Sequence, residues 1–319
     1  MTLTNDESRP NRTLKDYLSI SVRGFCMGAA DVVPGVSGGT MAFILGIYDE
    51  LLQAISAVNL DFIRKILTLK WRDAFASFPW KFLLALGVGI LGAIFTLAKG
   101  LSYALHYHPE YVWAFFFGLV LASISLVRKR VKKWSPMLVI IAALVALALY
   151  WLIGISPVET PNNPVFLFFS GFIAICAMIL PGISGAFILV LLGKYAFILN
   201  AIISLDILNL TIFAAGCVAG LLSFVRILRR LLSTHHDMTI TVLMGMMIGS
   251  LRKVWPWKDT LSADATGYVQ EALALPSALT TEALIAIGLM LLGILVIAGL
   301  NIQSNRTENK ENQLLNALD

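Results

Sequence analysis

The sequence predicts an all-α polytopic membrane protein made of two inverted-topology repeats, each a re-entrant helical hairpin followed by about three transmembrane helices. Three observations predict it. The 319 residues are 58% hydrophobic and 13% charged, with a mean hydropathy of +0.82, whereas soluble domains carry about 25% charged residues. The stretch ADVVPGVSGGT, Ala30 to Thr40, sets proline, glycines and hydroxyls inside an apolar run, and MILPGISGAFI, Met178 to Ile188, nearly repeats it. Lysine and arginine gather in some loops and are missing from others.

The spans come first. Apolar segments fall at about 82–104, 111–127, 136–154, 208–228, 238–251 and 283–302. Each is a candidate crossing, since a helix needs ~20 apolar residues, although 238–251 is short and needs its flanks. Two more apolar stretches, 20–56 and 165–203, are interrupted by Pro-Gly-x-Ser-Gly. Irregular backbone at membrane depth is tolerated where protein or a water-filled cavity satisfies it, so these read as re-entrant hairpins. The expected division is a polar N-terminus at 1–16, a first repeat at 17–155 with hairpin 20–56, a second at 156–303 with hairpin 165–203, and a polar tail at 304–319. Residues 1–16 have no apolar core or cleavage site of a signal peptide.

The two halves align without gaps around the breaks. Sliding the first by 147 positions sets Gly24 on Gly171, Ala30 on Ala177, Pro34 on Pro181, Gly35 on Gly182, Ser37 on Ser184, Gly38 on Gly185, Gly46 on Gly193 and Tyr48 on Tyr195. Downstream, an offset of 127 pairs Gly89 with Gly216, His108 with His235 and Gly118 with Gly245. Internal duplication is the expected reading; the change of offset assigns the first half a longer loop at about 57–80.

Charge sets the orientation. Basic residues cluster at Arg9, Arg12, Lys15 and Arg23, in the 57–80 loop, in RKRVKK (128–133) and at Arg226, Arg229 and Arg230, while 105–110, 155–164 and 200–209 hold none. By the positive-inside rule the first set is cytoplasmic. Both flanks of the first hairpin are then inside and both flanks of the second outside. Three crossings lie between them, and an odd number inverts the second repeat. Both termini are expected in the cytoplasm. The loop 252–281 fits least well, since it must lie outside yet holds Arg252, Lys253 and Lys258.

Chemistry is expected at the breaks. Pro34 and Pro181 each end an arm, and Gly35, Gly38 and Gly39 permit close backbone approach. Ser37 or Thr40 is expected to cap the second arm. Free N–H groups at such a helix start attract an anion, and Gly182, Ser184 and Gly185 form the matching tip. Opposed broken helices near the midplane are the architecture of secondary transporters; tight packing of small residues is the structural alternative. Asp31 faces Met178 in the alignment, and an ionisable group at this depth is a functional candidate. It either carries a proton or hydrogen-bonds the freed backbone. Glu50 is a second proton-coupling candidate, though with Asp49 it sits toward the cytoplasmic interface, where plain solvation accounts for both. Arg23 and Lys194 are candidate anion contacts; Arg23, like Lys99, also reads as a snorkelling side chain. Cys26, Cys176 and Cys217 lack CxxC spacing and His235-His236 is the one adjacent histidine pair, so no metal or cofactor is expected.

At these residues the chain resembles a known family. GFCMGAADVVPGVSGGTMAFILGIYDELL with AMILPGISGAFILVLLGKY is similar to the bacterial polyprenyl-phosphate transporter family (PopT type), across about 18–302. The resemblance implies movement of undecaprenyl phosphate from the outer to the inner leaflet of the cytoplasmic membrane, with no nucleic-acid partner. The family's motif residues fall here on Gly28, Asp31, Pro34, Gly35, Ser37, Gly38, Gly39 and Thr40, and on Pro181, Gly182, Ser184 and Gly185. Two alternatives come from other classes. A small-anion channel or exchanger would use the same tips. An intramembrane polyprenyl-diphosphate phosphatase would want arginine or a metal against the leaving phosphate, and Gly38 and Gly39 follow Ser37 instead.

Overall fold

The computed structural model describes residues 12–33, 36–155, 158, 160–263, 269–276 and 280–316. In chain order the elements are α1 (Leu14–Val32), α2 (Gly38–Ile44), α3 (Tyr48–Ser56), α4 (Leu60–Leu67), α5 (Trp71–Ser77), α6 (Trp80–Tyr107), α7 (Pro109–Arg128), α8 (Pro136–Ile153), α9 (Pro164–Ile179), α10 (Gly185–Leu191), α11 (Tyr195–Ile203), α12 (Ile207–Thr234), α13 (His236–Ser250), β1 (Lys258–Ala263), β2 (Val269–Leu273) and α14 (Thr281–Asn316).

Helix starts follow local chemistry. Thr13 N–H donates to Asp16 at 2.7 Å before α1, and the Asn163 side chain accepts from Phe166 N–H at 2.9 Å before α9. Prolines open α7, α8 and α9, where the missing N–H has no helical partner to lose.

The element bounds repeat at the two sequence offsets. Shifting α2 by 147 lays Gly38 on Gly185 and Ile44 on Leu191, the ends of α10; α3 falls on α11 in the same way. Shifting α6 by 127 lays Trp80 on Ile207 and Tyr107 on Thr234, the ends of α12. Packing follows the same pairing: α1 lies on α6 as α9 lies on α12, and α7 lies on α14 as α13 lies on α8. The close approaches need glycine. A Cβ on Gly89 would strike the backbone of Ser21 on α1, and one on its counterpart Gly216 would strike that of Phe168 on α9. Small residues at membrane helix contacts bring backbones together in this manner.

The structure differs from the sequence reading in four respects. Among the described residues, five helices are long and apolar enough to cross a membrane (in α6, α7, α8, α12 and α14), or six if the bent pair α10 and α11 counts as one span. The expected sixth crossing, α13, has 15 residues, about 22 Å at 1.5 Å per residue, and is not among them by length. It runs alongside α8, from Asp237 at the N–H groups of Lys132 and Lys133 to Arg252, just past its end, which donates to Tyr150 O. It is buried along much of its length, from Thr239 to Ser250. Second, the outgoing arm of each hairpin is broken again. Gly46 (φ 72°) and Gly193 (φ 64°) take left-handed conformations, and Ile47 N–H reaches Ala42 O as Lys194 N–H reaches Leu189 O, at 3.0 and 2.7 Å. This is a glycine-terminated helix end, and it turns α11 by 107° from α10. Third, the loop 252–281 carries the antiparallel pair β1–β2, and the loop 57–80 carries α4 and α5. Fourth, the last helix continues through most of the expected polar tail, to Asn316.

Candidate functional site

The two breaks meet. Val33 ends α1 in extended conformation (φ −88°, ψ 114°), and Ser37 precedes α2 in another (φ −116°, ψ 127°). Pro34 and Gly35 lie outside the described residues. Asp31, on the last turn of α1, folds back so that its Oδ1 accepts the Gly38 N–H at 2.7 Å. The sequence assigned that cap to Ser37 or Thr40. The structure gives it to Asp31, because both hydroxyls are engaged across the interface. Ser37 Oγ donates to Met178 O at 3.2 Å, and Thr40 Oγ1 accepts the Gly182 N–H at 2.8 Å. Tyr48 adds a third bond, its hydroxyl donating to Ile179 O at 3.1 Å.

Side chains of the first break thus satisfy backbone of the second. Ser37, Thr40 and Tyr48 are all buried. Gly39 makes the approach possible: a Cβ there would lie 2.7 Å from both Met178 O and Ile179 O. On the opposite side Gly182 (φ 95°) turns the chain after the buried Pro181. Its left-handed conformation and the nearby Met246 and Ser250 leave no room for a side chain. Gly185 packs against the Ala174 carbonyl. Ser184 precedes α10 half-buried and without a side-chain capping bond. The aligned position for Asp31 is Met178, so the second break has no carboxylate of its own.

The remaining candidates sit further out. Glu50 takes both arms of the Arg12 guanidinium, at 2.6 and 2.8 Å. Beside it Arg130 approaches Asp49 at 3.9 Å and lies 4.8 Å over the Phe43 ring, which meets Tyr48 edge-on at 5.1 Å. A chain of contacts therefore runs from the basic 128–133 turn to the tip of the second hairpin. Lys194 is fully buried, yet its ammonium donates to Thr160 O and Asn162 Oδ1 in the 158–162 segment. Arg23 is half-buried on α1, two turns before Asp31, and Gly28 packs against Ile90 of α6. The structure brings together Asp31, Ser37, Gly38, Gly39, Thr40, Pro181 and Gly182. It sets Glu50 and Lys194 at separate anchors of the two hairpins.

Sequence reasoning passed over Tyr48, Arg12 and Arg130. Tyr48 carried a signal, its identity with Tyr195 in the repeat. The two arginines carried none beyond their place in basic clusters. At the same end of the molecule Asp237 accepts the backbone N–H groups of Lys132 and Lys133, each at 3.0 Å. The Lys132 bond, then His236, hold its carboxyl down at about 2.

The chain is similar to known proteins along most of this framework. A family model described as undecaprenyl phosphate translocase-like matches residues 27–271. A polyprenyl-phosphate transporter of Vibrio cholerae is 47% identical over 249 residues, 77% of this chain and 80% of that protein. A polyprenyl-phosphate transporter of Staphylococcus aureus is 32% identical over 257 residues, 75% of this chain and 86% of that protein. No solved structure is significantly similar.

Proposed function

The chain belongs to the undecaprenyl phosphate translocase-like family, and from that premise we propose that it returns undecaprenyl phosphate from the outer to the inner leaflet of the bacterial cytoplasmic membrane, for reuse in envelope synthesis. The two hairpins enter from opposite faces, the first from the cytoplasm, and both termini are cytoplasmic. A phosphate head group is charged and crosses hydrocarbon only with its hydration replaced by donors.

The observation that carries this reading is the polar contact of the two breaks, Thr40 with Gly182 and Ser37 with Met178, buried within an apolar bundle. The closed tips hold donors of the kind a phosphate accepts: the N–H groups of Gly38 and Gly182 and the hydroxyls of Ser37 and Tyr48. Parting the tips turns these donors from protein acceptors to phosphate oxygens. The prenyl chain stays in lipid beside the bundle. Arg12 with Glu50 braces the first hairpin, and Lys194 with Thr160 and Asn162 braces the second. Asp31 holds Gly38 N–H in the closed state. A phosphate arriving there meets a like charge, which disfavours two ionised groups side by side. A proton on Asp31 relieves that repulsion and travels with the substrate.

The test is a leaflet-resolved assay of undecaprenyl phosphate in proteoliposomes containing this protein alone. The lipid should cross faster than in protein-free vesicles. Failure to move it, together with flux of chloride or inorganic phosphate, would replace this reading with a small-anion pathway. Release of inorganic phosphate from the diphosphate lipid would replace it with an enzyme.

A further inference from the structure

Away from the tips, a cleft of about 450 Å³ opens between the start of α7 and the base of the β1–β2 hairpin. Its walls include Glu110 and Trp113 of α7 and Trp257, Lys258, Asp259 and Leu275 of the hairpin region. The walls are tied in place. Trp255 Nε1 donates to Ala274 O at 2.8 Å, and Ala274 N–H donates to Trp257 O at 3.0 Å. Trp255 also meets Phe117 of α7 edge-on at 5.2 Å. The Lys258 ammonium lies 4.7 Å over the Trp113 ring and donates to Lys253 O.

Depth narrows the choice of occupant. Spanning helix α7 starts at Pro109, so Glu110 and Trp113 lie in its first turns; the span in α14 starts at Thr281, just beyond the cleft residue Pro276. The cleft therefore sits where hydrocarbon gives way to head groups. Tryptophans concentrate at that level, as Trp113, Trp255 and Trp257 do here. The lip is apolar and open: Leu275 is 78% exposed. The solute most abundant at this depth is the phospholipid head group.

Charge narrows it further. Among the described residues the lining holds one ammonium, Lys258, and two carboxylates, Glu110 and Asp259. A head group with a phosphate alone would be repelled by the carboxylate pair. One that also carries an amine presents both signs to both signs. We propose that this cleft is a binding site for a zwitterionic glycerophospholipid head group, with the amine toward Glu110 and Asp259, the phosphate on the Lys258 side and the acyl chains leaving past Leu275. The site is separate from the hairpin tips and independent of the direction of transport.

The experiment titrates purified full-length protein in detergent with dihexanoyl phosphatidylethanolamine and, separately, dihexanoyl phosphatidylglycerol, reading tryptophan fluorescence. Trp257→Phe identifies the part of the signal that arises in the cleft. The amine lipid should give a saturable change at concentrations about tenfold lower than the glycerol lipid. Replacing Glu110→Gln and Asp259→Asn together should weaken the amine lipid about tenfold, which is about 1.4 kcal/mol, and leave the glycerol lipid no weaker. Equal midpoints for the two lipids in the wild-type protein would overturn the proposal without reference to any variant. So would displacement of the amine lipid by farnesyl phosphate at lower concentration, which would assign the cleft to prenyl phosphates instead.

Discussion

The hydroxyl of Thr40 accepts the backbone N–H of Gly182 at 2.8 Å, joining two breaks 142 residues apart in the chain. Both partners are buried. In that setting a backbone N–H without an acceptor costs about 1–3 kcal/mol. The bond therefore holds the tips in one arrangement, and it must be given up if the tips part.

Thr40→Val keeps the shape and removes the acceptor. The variant should lose about 1–3 kcal/mol of stability and open its tips more readily, whereas Thr40→Ser should stay close to wild type. Thermal unfolding in detergent and lipid transport in vesicles read the two consequences separately. Gly39→Ala should be more damaging, since its methyl meets the carbonyls of Met178 and Ile179. Normal transport by the Gly39 variant would show that tip contact has no part in the cycle.

Asp31→Asn retains an oxygen that can accept from Gly38 N–H but cannot exchange a proton. We expect the variant to fold and to transport with a flattened dependence on pH. Asp31→Leu should be less stable, with Gly38 N–H left unpaired. The measurement is transport by both variants across a pH series in liposomes. An Asn variant with the wild-type rate and pH profile would confine Asp31 to its capping role and remove the proton from the proposed cycle.

Asp237 gives a pH dependence of stability outside the membrane. Its carboxyl is held at about 2 by the N–H groups of Lys132 and Lys133 and by His236, below the ordinary value of about 3.9. A depressed folded value means that the stabilisation is complete above about pH 4 and is lost as pH falls through about 2. The thermal midpoint of the wild type should exceed that of Asp237→Asn at about pH 6, and the gap should narrow steadily as pH falls from about 4 through about 2. A constant gap would show that ionisation of Asp237 contributes nothing.

Orientation is tested by labelling. Asn59 and Asn162 mark the flanks of the two hairpins, but each carries a hydrogen bond, to Phe62 and Lys194 respectively. Lys70→Cys and Pro161→Cys are cleaner because both positions are exposed. With the three native cysteines replaced, Lys70→Cys should react only from the cytoplasmic side and Pro161→Cys only from outside. Reaction of both from one side would contradict the opposed hairpins.

Residue by residue, the helix breaks were legible because they are local. Proline lacks a donor and glycine lacks a Cβ whatever surrounds them, so Pro181 and Gly182 mark a turn in the sequence alone. The spacing of the repeat likewise carried the bounds of α2 onto α10 and of α6 onto α12. The second break, at Gly46 and Gly193, was equally local and was passed over, since a lone glycine after a short apolar run is also compatible with a continuous arm.

What the sequence by itself determined was the membrane class, the two Pro-Gly-x-Ser-Gly breaks and the pairing of the halves. These depend on hydropathy, backbone chemistry and spacing, which are properties of the chain before it folds. Only the tertiary structure decided which groups those breaks satisfy. Asp31 rather than Ser37 receives Gly38 N–H, Thr40 receives Gly182 N–H, and Lys194 turns to Thr160 and Asn162 instead of the tips. A hydrogen bond requires its partners within about 3 Å and in line. For residues more than a hundred positions apart, that distance is set by how α1 packs on α6 and α9 on α12, and by the missing side chain of Gly39 that lets the two breaks touch.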